Sequence, residues 1–311
     1  RGVRCDPGQI IVVSGAQQGI NLASQVLLDH GDQAMVEEPG YGGIRGALTA
    51  AGLRIALTPV DGEGLDIAAG EARAPLARMV CVAPSHQHPL GVVMSLRRRL
   101  ALIEWARRRG AWILEDDYDS EYRYSGRPLA ALQGLDPTGR VIYVGSFSKV
   151  LFPSLRLGYL VVPPDLVDAF ISARRVLDEH TAMLAQPVLA TFIDEGHFAA
   201  HVRRMRRLYA ARQEALLDMA RRELDGLLEI DADEAGMHLI ARPGTHFSGA
   251  MDDQRLARAA GEAGVVAPPL SQSYVGKPLR QGFMLGYAAH DEDAITTAGR
   301  RLAKVIRTAA R

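Results

Sequence analysis

The chain has 311 residues, 48% of them hydrophobic, which is enough for one large or two medium domains with a substantial core. Its 36 basic and 36 acidic side chains cancel and the pI is near 7.3, so the chain as a whole carries no polyanion-binding signature and is not by itself a nucleic-acid-binding surface. Two distant cysteines, Cys5 and Cys81, exclude a disulfide framework and zinc-ligand spacing and fit a reducing cytoplasm. No run approaches the roughly 18–20 apolar residues of a membrane span, and no signal peptide is visible. The sequence begins at Arg1 rather than Met and enters strand-like residues within ten positions, so a longer parent chain is expected.

Over the first 165 residues, short apolar runs alternate with amphipathic stretches. The runs are QIIVVSG (9–15), QAMVEE (33–38), RIALTPV (54–60), RMVCVAP (78–84), AWILEDD (111–117), VIYVGS (141–146) and GYLVVP (158–163). They are rich in Val and Ile and bounded by Gly, Pro or Asp, as strands buried on both faces are. Amphipathic segments such as Gln17–Leu28, Gly42–Ala51 and Leu96–Arg109 predict helices between them. The pattern implies an α/β fold, a mostly parallel seven-stranded sheet with helices on both faces. From Asp165 helical sequence dominates to about Glu223, including an Arg-rich run whose Val202, Met205, Leu208 and Tyr209 recur at helical spacing; this puts the arginines on the solvent face, and the acidic residues that follow in the same helix weigh against the other reading, a nucleic-acid patch. Runs at 226–231, 237–243 and 282–288 and a closing helix over 292–307 then predict a smaller α+β domain. We divide the chain into 1–197 and 198–311.

Ligands of open α/β sheets bind at the carboxyl ends of strands, so the residues after each strand are the candidates. After the first comes SGAQQG (14–19), where exposed amides at Ala16 and Gln17 suit a phosphate; an ordinary turn capped by Ser14 reads equally well. After the second comes EEPGYGG (37–43), which sets Tyr41 at the ligand edge, either to stack on a flat ring or to pack in its loop. APSHQHPLG (83–91) offers His86 and His88, as metal ligands or as hydrogen-bonded loop residues; no third ligand is spaced for zinc. EDDYDSEY (115–122) gathers acids that suggest Mg²⁺ or Ca²⁺, without EF-hand spacing. Strand alternation there points Asp116 and Tyr118 one way and Glu115 and Asp117 the other.

GSFSKVLFPSLRLGY (145–159) holds Lys149, one of only three lysines. We expect it to be buried, where an ammonium loses its charge readily and can form a Schiff base, or pairs with a carboxylate. Ser146, Ser148 and Arg156 supply donors to an anion. Together these residues specify a ligand with a phosphate (Ser146, Arg156, the 16–17 amides), a flat ring (Tyr41), a protonated ring nitrogen (Asp116), a ring oxyanion (Tyr118) and an aldehyde (Lys149). That ligand is pyridoxal 5′-phosphate.

With these motifs the sequence resembles the fold-type-I, aminotransferase-like pyridoxal-phosphate proteins, and more closely the aminotransferase-like domain of MocR/GabR-type regulators of the GntR family. RGVRCDPGQIIVVSGAQQGI, EEPGYGG, PSHQHPLGVVMS, ILEDDYDSEYRY and SFSK with Arg156 in RLGY carry the likeness, which covers essentially the whole chain. The resemblance implies that Lys149 holds an internal aldimine, Asp116 pairs with the pyridine nitrogen and Tyr118 bonds the ring oxygen, these three being the catalytic set. Tyr41 stacks on the ring, while Ser146, Ser148, Arg156 and the backbone at Ala16 and Gln17 take the phosphate. The sequence departs from the family at His88, where aminotransferases carry Asn beside the ring oxygen, and at Met284, where they carry an arginine for the substrate carboxylate; Arg280 is near but placed differently. The family also places a site-closing segment, and the regulators a winged helix-turn-helix, before RGV.

Two functions follow from the resemblance. One is a cytoplasmic, homodimeric sensor domain that binds pyridoxal phosphate and an amine or amino-acid effector, or the cofactor as effector, and acts on DNA only through the winged helix-turn-helix. The other is a working class I/II aminotransferase. Neither involves a metal or a membrane.

Overall fold

Val- and Ile-rich runs closed by Gly, Pro or Asp form strands covered on both faces. The computed structural model describes residues 1–126, 130–245, 247 and 251–309. They form two compact units, the first comprising Arg1–His88, Val92–Glu121 and Arg127–Ala200. Its strands are β1 (Ile10–Val13), β2 (Gln33–Glu38), β3 (Arg54–Asp61), β4 (Gly64–Leu65), β5 (Ala77–Val82), β6 (Trp112–Asp117), β7 (Val141–Ser146) and β8 (Gly158–Val161). They join one sheet in the order β1-β8-β7-β6-β5-β2-β3-β4. The seven expected strands are present. The eighth, β4, is a two-residue antiparallel partner of β3, too short for its pattern to show in sequence.

The pairs β7–β6, β6–β5, β5–β2 and β2–β3 are parallel, whereas β8 runs against both β7 and β1. β1 therefore points the same way as the parallel set. The ends of β1, β2, β5, β6 and β7 and the start of β8 share one sheet edge. Ile113, Leu114, Ile142 and Val144 are at most 1% exposed, and each such side chain contributes about 1.5–3 kcal/mol.

The α-helices that lie wholly in this unit are α1 (Ala16–Leu27), α2 (Gly42–Ala50), α3 (Ile67–Arg73), α4 (Leu96–Arg109), α5 (Leu132–Leu135), α6 (Val167–Asp178) and α7 (Ala185–Asp194). α4 shows why its bounds fall where they do. The Ser95 hydroxyl accepts from the Arg98 amide at its start, and Gly110 adopts the left-handed conformation at its end. α1 lies close on the sheet because residue 19 is glycine; a Cβ there would stand 2.8 Å from Leu160 Cδ2.

The second unit comprises Pro89–Gly91, Tyr122–Gly126 and His201–Arg311. Its strands β9 (Leu228–Ile230), β10 (His238–Pro243) and β11 (Phe283–Gly286) form an antiparallel sheet in the order β11-β10-β9. The helices that follow α7 are α8 (His197–Glu223), α9 (Asp253–Glu262) and α10 (Glu292–Ala309). Leu216, Met219, Leu239, Phe283, Tyr287, Leu302 and Ile306 belong to the unit's buried core. On α8, Val202 is buried and Arg203, Arg204, Arg206 and Arg207 are exposed, as the spacing predicts. Leu208 is not part of the buried stripe; it is 38% exposed. Among the described residues no helix is long and apolar enough to cross a membrane.

Candidate cofactor site

The sequence-predicted residues of the first unit fall along one sheet edge. At the β1 end, α1 begins at Ala16 with Gly15 as its N-cap, and no side chain caps the helix. Ser14 therefore is not a cap. Its amide instead donates to Gln18 Oε1 at 2.6 Å, and the amides at the start of α1 face the edge uncapped. Gly15 has φ 107°, and a Cβ there would stand 3.6 Å from the Arg156 guanidinium, so glycine makes a cradle beneath that cation. Gln17 donates from Nε2 to the Gly43 carbonyl at 2.7 Å, which ties the start of α1 to the turn carrying Tyr41. After β7 the chain turns back on itself, with the Ser148 amide donating to Ser146 Oγ at 3.1 Å.

The ring wall is aromatic. Tyr41, 45% exposed, meets His88 edge-on with centroids 5.9 Å apart, and His88 meets Tyr118 edge-on at 6.2 Å. Gln87 anchors this loop by donating from Nε2 to the carbonyls of Pro39 (2.8 Å) and His88 (2.7 Å). His86 Nδ1 lies 2.8 Å from Asp119 Oδ2 and 3.1 Å from the Tyr118 hydroxyl. Among the described residues no group of three or more His, Cys, Asp or Glu is placed to hold a metal ion.

The β6 carboxylates divide as alternation requires. Glu115 accepts from the Leu132 and Gln133 amides at 2.8 and 2.9 Å. Asp117 accepts from the Tyr143 hydroxyl at 2.5 Å and from Ser120 Oγ at 2.8 Å. Asp116, between them, is buried, and its Oδ1 has no hydrogen-bond partner among the described residues. Burial, then the charges of Asp117 and Asp119, push its carboxyl up to about 7; Arg1 and Lys149 act against the rise. Tyr118 lies just past the last β6 residue, so the bend after the strand places it.

Two findings depart from the sequence reading. Lys149 is exposed rather than buried. It lies beyond Ser146, the last residue of β7, where the buried pattern of the strand no longer applies. The residue that sequence reasoning missed is Glu37, next to the end of β2. It is buried, accepts from the Ala83 amide at 3.3 Å and from Gln87 Nε2 at 3.4 Å, and burial pushes its carboxyl up to about 8 against these bonds, with Asp116 adding to the rise. A charged residue in a strand that is otherwise buried was the available signal. In the second unit, Met284 lies on β11 opposite Ile240, and Arg280 is exposed in the preceding loop.

A doubly covered sheet with a glycine cradle beside a guanidinium, an aromatic wall and a buried acid at one edge defines a class of protein. The chain belongs to the aminotransferase class I and II family, which matches residues 1–302. More particularly, it is 47% identical over 291 residues to the probable rhizopine catabolism regulatory protein MocR of Rhizobium meliloti, covering 94% of this chain and 58% of that protein. The curated regulators it matches first are spanned only to 58–64% of their length. Among solved structures, kynurenine aminotransferase of Pyrococcus horikoshii in complex with PMP superposes with TM-score 0.87 at 29% identity, covering 97% of this chain and 76% of that one. LysN of Thermus thermophilus, an α-aminoadipate aminotransferase complexed with N-(5′-phosphopyridoxyl)-L-leucine, gives 0.86 at 29%, covering 97% and 78%.

Pyridoxal 5′-phosphate is the cofactor of this domain. The residues present fit it. A buried carboxylate oxygen without a partner suits a protonated ring nitrogen, and the glycine cradle beside Arg156 suits a phosphate.

Proposed function

We propose that the chain is the effector-sensing and dimerisation domain of a MocR-type transcription regulator, with the cofactor held covalently at Lys149. The observation that carries this reading is the 47% identity to a regulatory protein, beside a likeness to enzyme structures at 29%. Lys149 would supply the amine that holds the cofactor at its aldehyde, water leaving as the bond forms. Asp116 would keep the ring nitrogen protonated, Tyr118 would donate to the ring oxygen, and Tyr41 would pack on the ring. Ser146, Ser148, Arg156 and the amides of Ala16 and Gln17 hold the phosphate. His88, in place of the usual Asn, shapes the wall between Tyr41 and Tyr118. Bound pyridoxal phosphate supplies an electron sink for charge developing beside an amine nitrogen.

In this reading residues 1–197 bind the cofactor and 198–311 form the smaller domain. Met284, apolar where aminotransferases carry their carboxylate arginine, favours an amine, or the cofactor as its own signal, over an ordinary α-amino acid. DNA is contacted by a winged helix-turn-helix elsewhere in the longer protein, and two copies pair. A second reading, an aminotransferase working by ping-pong transfer, is favoured by the intact set Lys149, Asp116, Tyr118 and Arg156.

Protein mixed with pyridoxal phosphate develops the near-visible absorbance of lysine-bound cofactor, and Lys149→Ala does not. A wild type that stays colourless overturns the site. Amines that bind shift the band without repeated product formation; sustained keto-acid production overturns the sensor and selects the enzyme.

A further inference from the structure

His86 and Asp119 are left without a task by the cofactor roles above. They come from the two motifs, PSHQ and EDDYDSEY, that are farthest from an enzyme's needs, and the fold brings them into contact. Their side chains are 1% and 2% exposed. A single imidazole nitrogen, Nδ1, lies within hydrogen-bond distance of both Asp119 Oδ2 (2.8 Å) and the Tyr118 hydroxyl (3.1 Å). We infer that His86 and Asp119 are positioning residues that fix the direction of the Tyr118 hydroxyl hydrogen, and through it set how readily the cofactor-bearing nitrogen of Lys149 gives up its proton. This rests on the cofactor-site reading above.

Ionised Asp119 only accepts, and a bare imidazole nitrogen also only accepts. Two acceptors facing each other at 2.8 Å in a buried site would set the imidazole lone pair against the carboxylate charge and leave that Asp119 oxygen without a donor. Imidazole is the stronger base of the two, so the hydrogen sits on Nδ1 and is donated to Asp119. Nδ1 then has no lone pair for Tyr118. The phenol oxygen shares that N–H as an acceptor, and its own hydrogen is turned away from His86.

The hydroxyl is thereby kept as a donor for the ring oxygen of the cofactor. A hydrogen bond into that oxygen withdraws negative charge from beside the Lys149 nitrogen, which lowers the pH at which that nitrogen loses its proton. The titratable groups placed around Tyr118 are His86 and His88, from the loop after β5, and Asp119, two residues past β6 and reached through His86 Nδ1. Asp117, Asp119, Arg1 and Lys149 act on Asp116, and Asp116 acts on Glu37, at the end of β2.

The test is the pH titration of cofactor absorbance in protein loaded with pyridoxal phosphate. Wild type is compared with His86→Phe, Asp119→Asn, Tyr118→Phe and the double His86→Phe/Tyr118→Phe. Each single variant is expected to raise the midpoint by about one pH unit, and the double to move no further than Tyr118→Phe alone, because one hydrogen bond is lost in every case. Variants that colour but keep the wild-type midpoint overturn the inference, and so does a double whose shift is the sum of its parts. Asp119→Asn keeps the side-chain shape and decides the matter if His86→Phe does not fold. A colourless wild type overturns the cofactor site and this inference with it; a coloured wild type with unmoved variants overturns this inference alone.

Discussion

Replacing Asp116 by asparagine removes a buried negative charge and keeps its shape. The side chain is 6% exposed, its Oδ1 has no partner among the described residues, and burial with Asp117 and Asp119 raises its carboxyl from 3.8 to about 7. A carboxyl whose folded pKa lies above its unfolded value holds its proton more tightly in the folded state. Its contribution to stability is therefore full below about 3.8 and is lost as the pH rises through about 7. At about 1.4 kcal/mol per tenfold change, the rise corresponds to roughly 4 kcal/mol lost by pH 8 in cofactor-free protein. Asparagine has no charge to create. The variant should match wild type near pH 4 and exceed it by up to about 4 kcal/mol at pH 8, on the order of 10 °C in Tm for a domain of this size. Glu37 and Glu115, raised to about 8 and about 7 by the same burial, leave a shallower slope in both proteins. Cofactor should reverse the ranking, because a ring N–H⁺ removes the cost in wild type and gains little from asparagine. Thermal melts from pH 5 to 8.5, with and without pyridoxal phosphate, measure both effects. If cofactor-free Asp116→Asn melts no higher than wild type at pH 8, or gains as much from cofactor, the reasoning fails.

Gly15→Ala adds a Cβ at φ 107° and 3.6 Å from the Arg156 guanidinium. We expect a cofactor Kd at least ~10-fold weaker by absorbance titration; Gly8→Ala, with nothing within 4 Å of the new atom, should leave it unchanged. The Arg99 guanidinium donates to the carbonyls of Met94 (3.0 Å), Ala130 (2.8 Å) and Pro84 (2.6 Å). Arg99→Leu strands these acceptors and should cost about 3–5 kcal/mol in denaturant unfolding. It should also weaken cofactor binding, since the Pro84 carbonyl begins the loop that carries His86 and His88.

The sheet was legible because β7 and most of β5 are apolar and β6 opens on an apolar run, Trp112 to Leu114, and because function in such sheets gathers at strand ends. What failed was extrapolation past those ends. The buried pattern of β7 stops at Ser146, so it says nothing of Lys149, and the alternation of β6 stops at Asp117, so it does not place Tyr118. Pairings between loops were hidden for another reason. Sequence supplies His86 and Asp119 but not the 2.8 Å between them, because that distance is set by how β5 and β6 pair and not by anything local to either motif. The four acids at strand ends sharpen the point. Glu37, Glu115 and Asp117 each accept hydrogen bonds from neighbouring amides or hydroxyls, and a carboxylate so held can be a fixture of the fold. Asp116 Oδ1 has no such partner; Glu37 Oε1 has none either, but Glu37 is held through its other oxygen. Composition cannot separate these acids, since all four read as charge in a buried strand. The separating fact is that each of the other three has at least one carboxylate oxygen held by a donor of the chain, whereas no such donor serves Asp116 Oδ1, and a buried carboxylate so left calls for a cation from outside the chain.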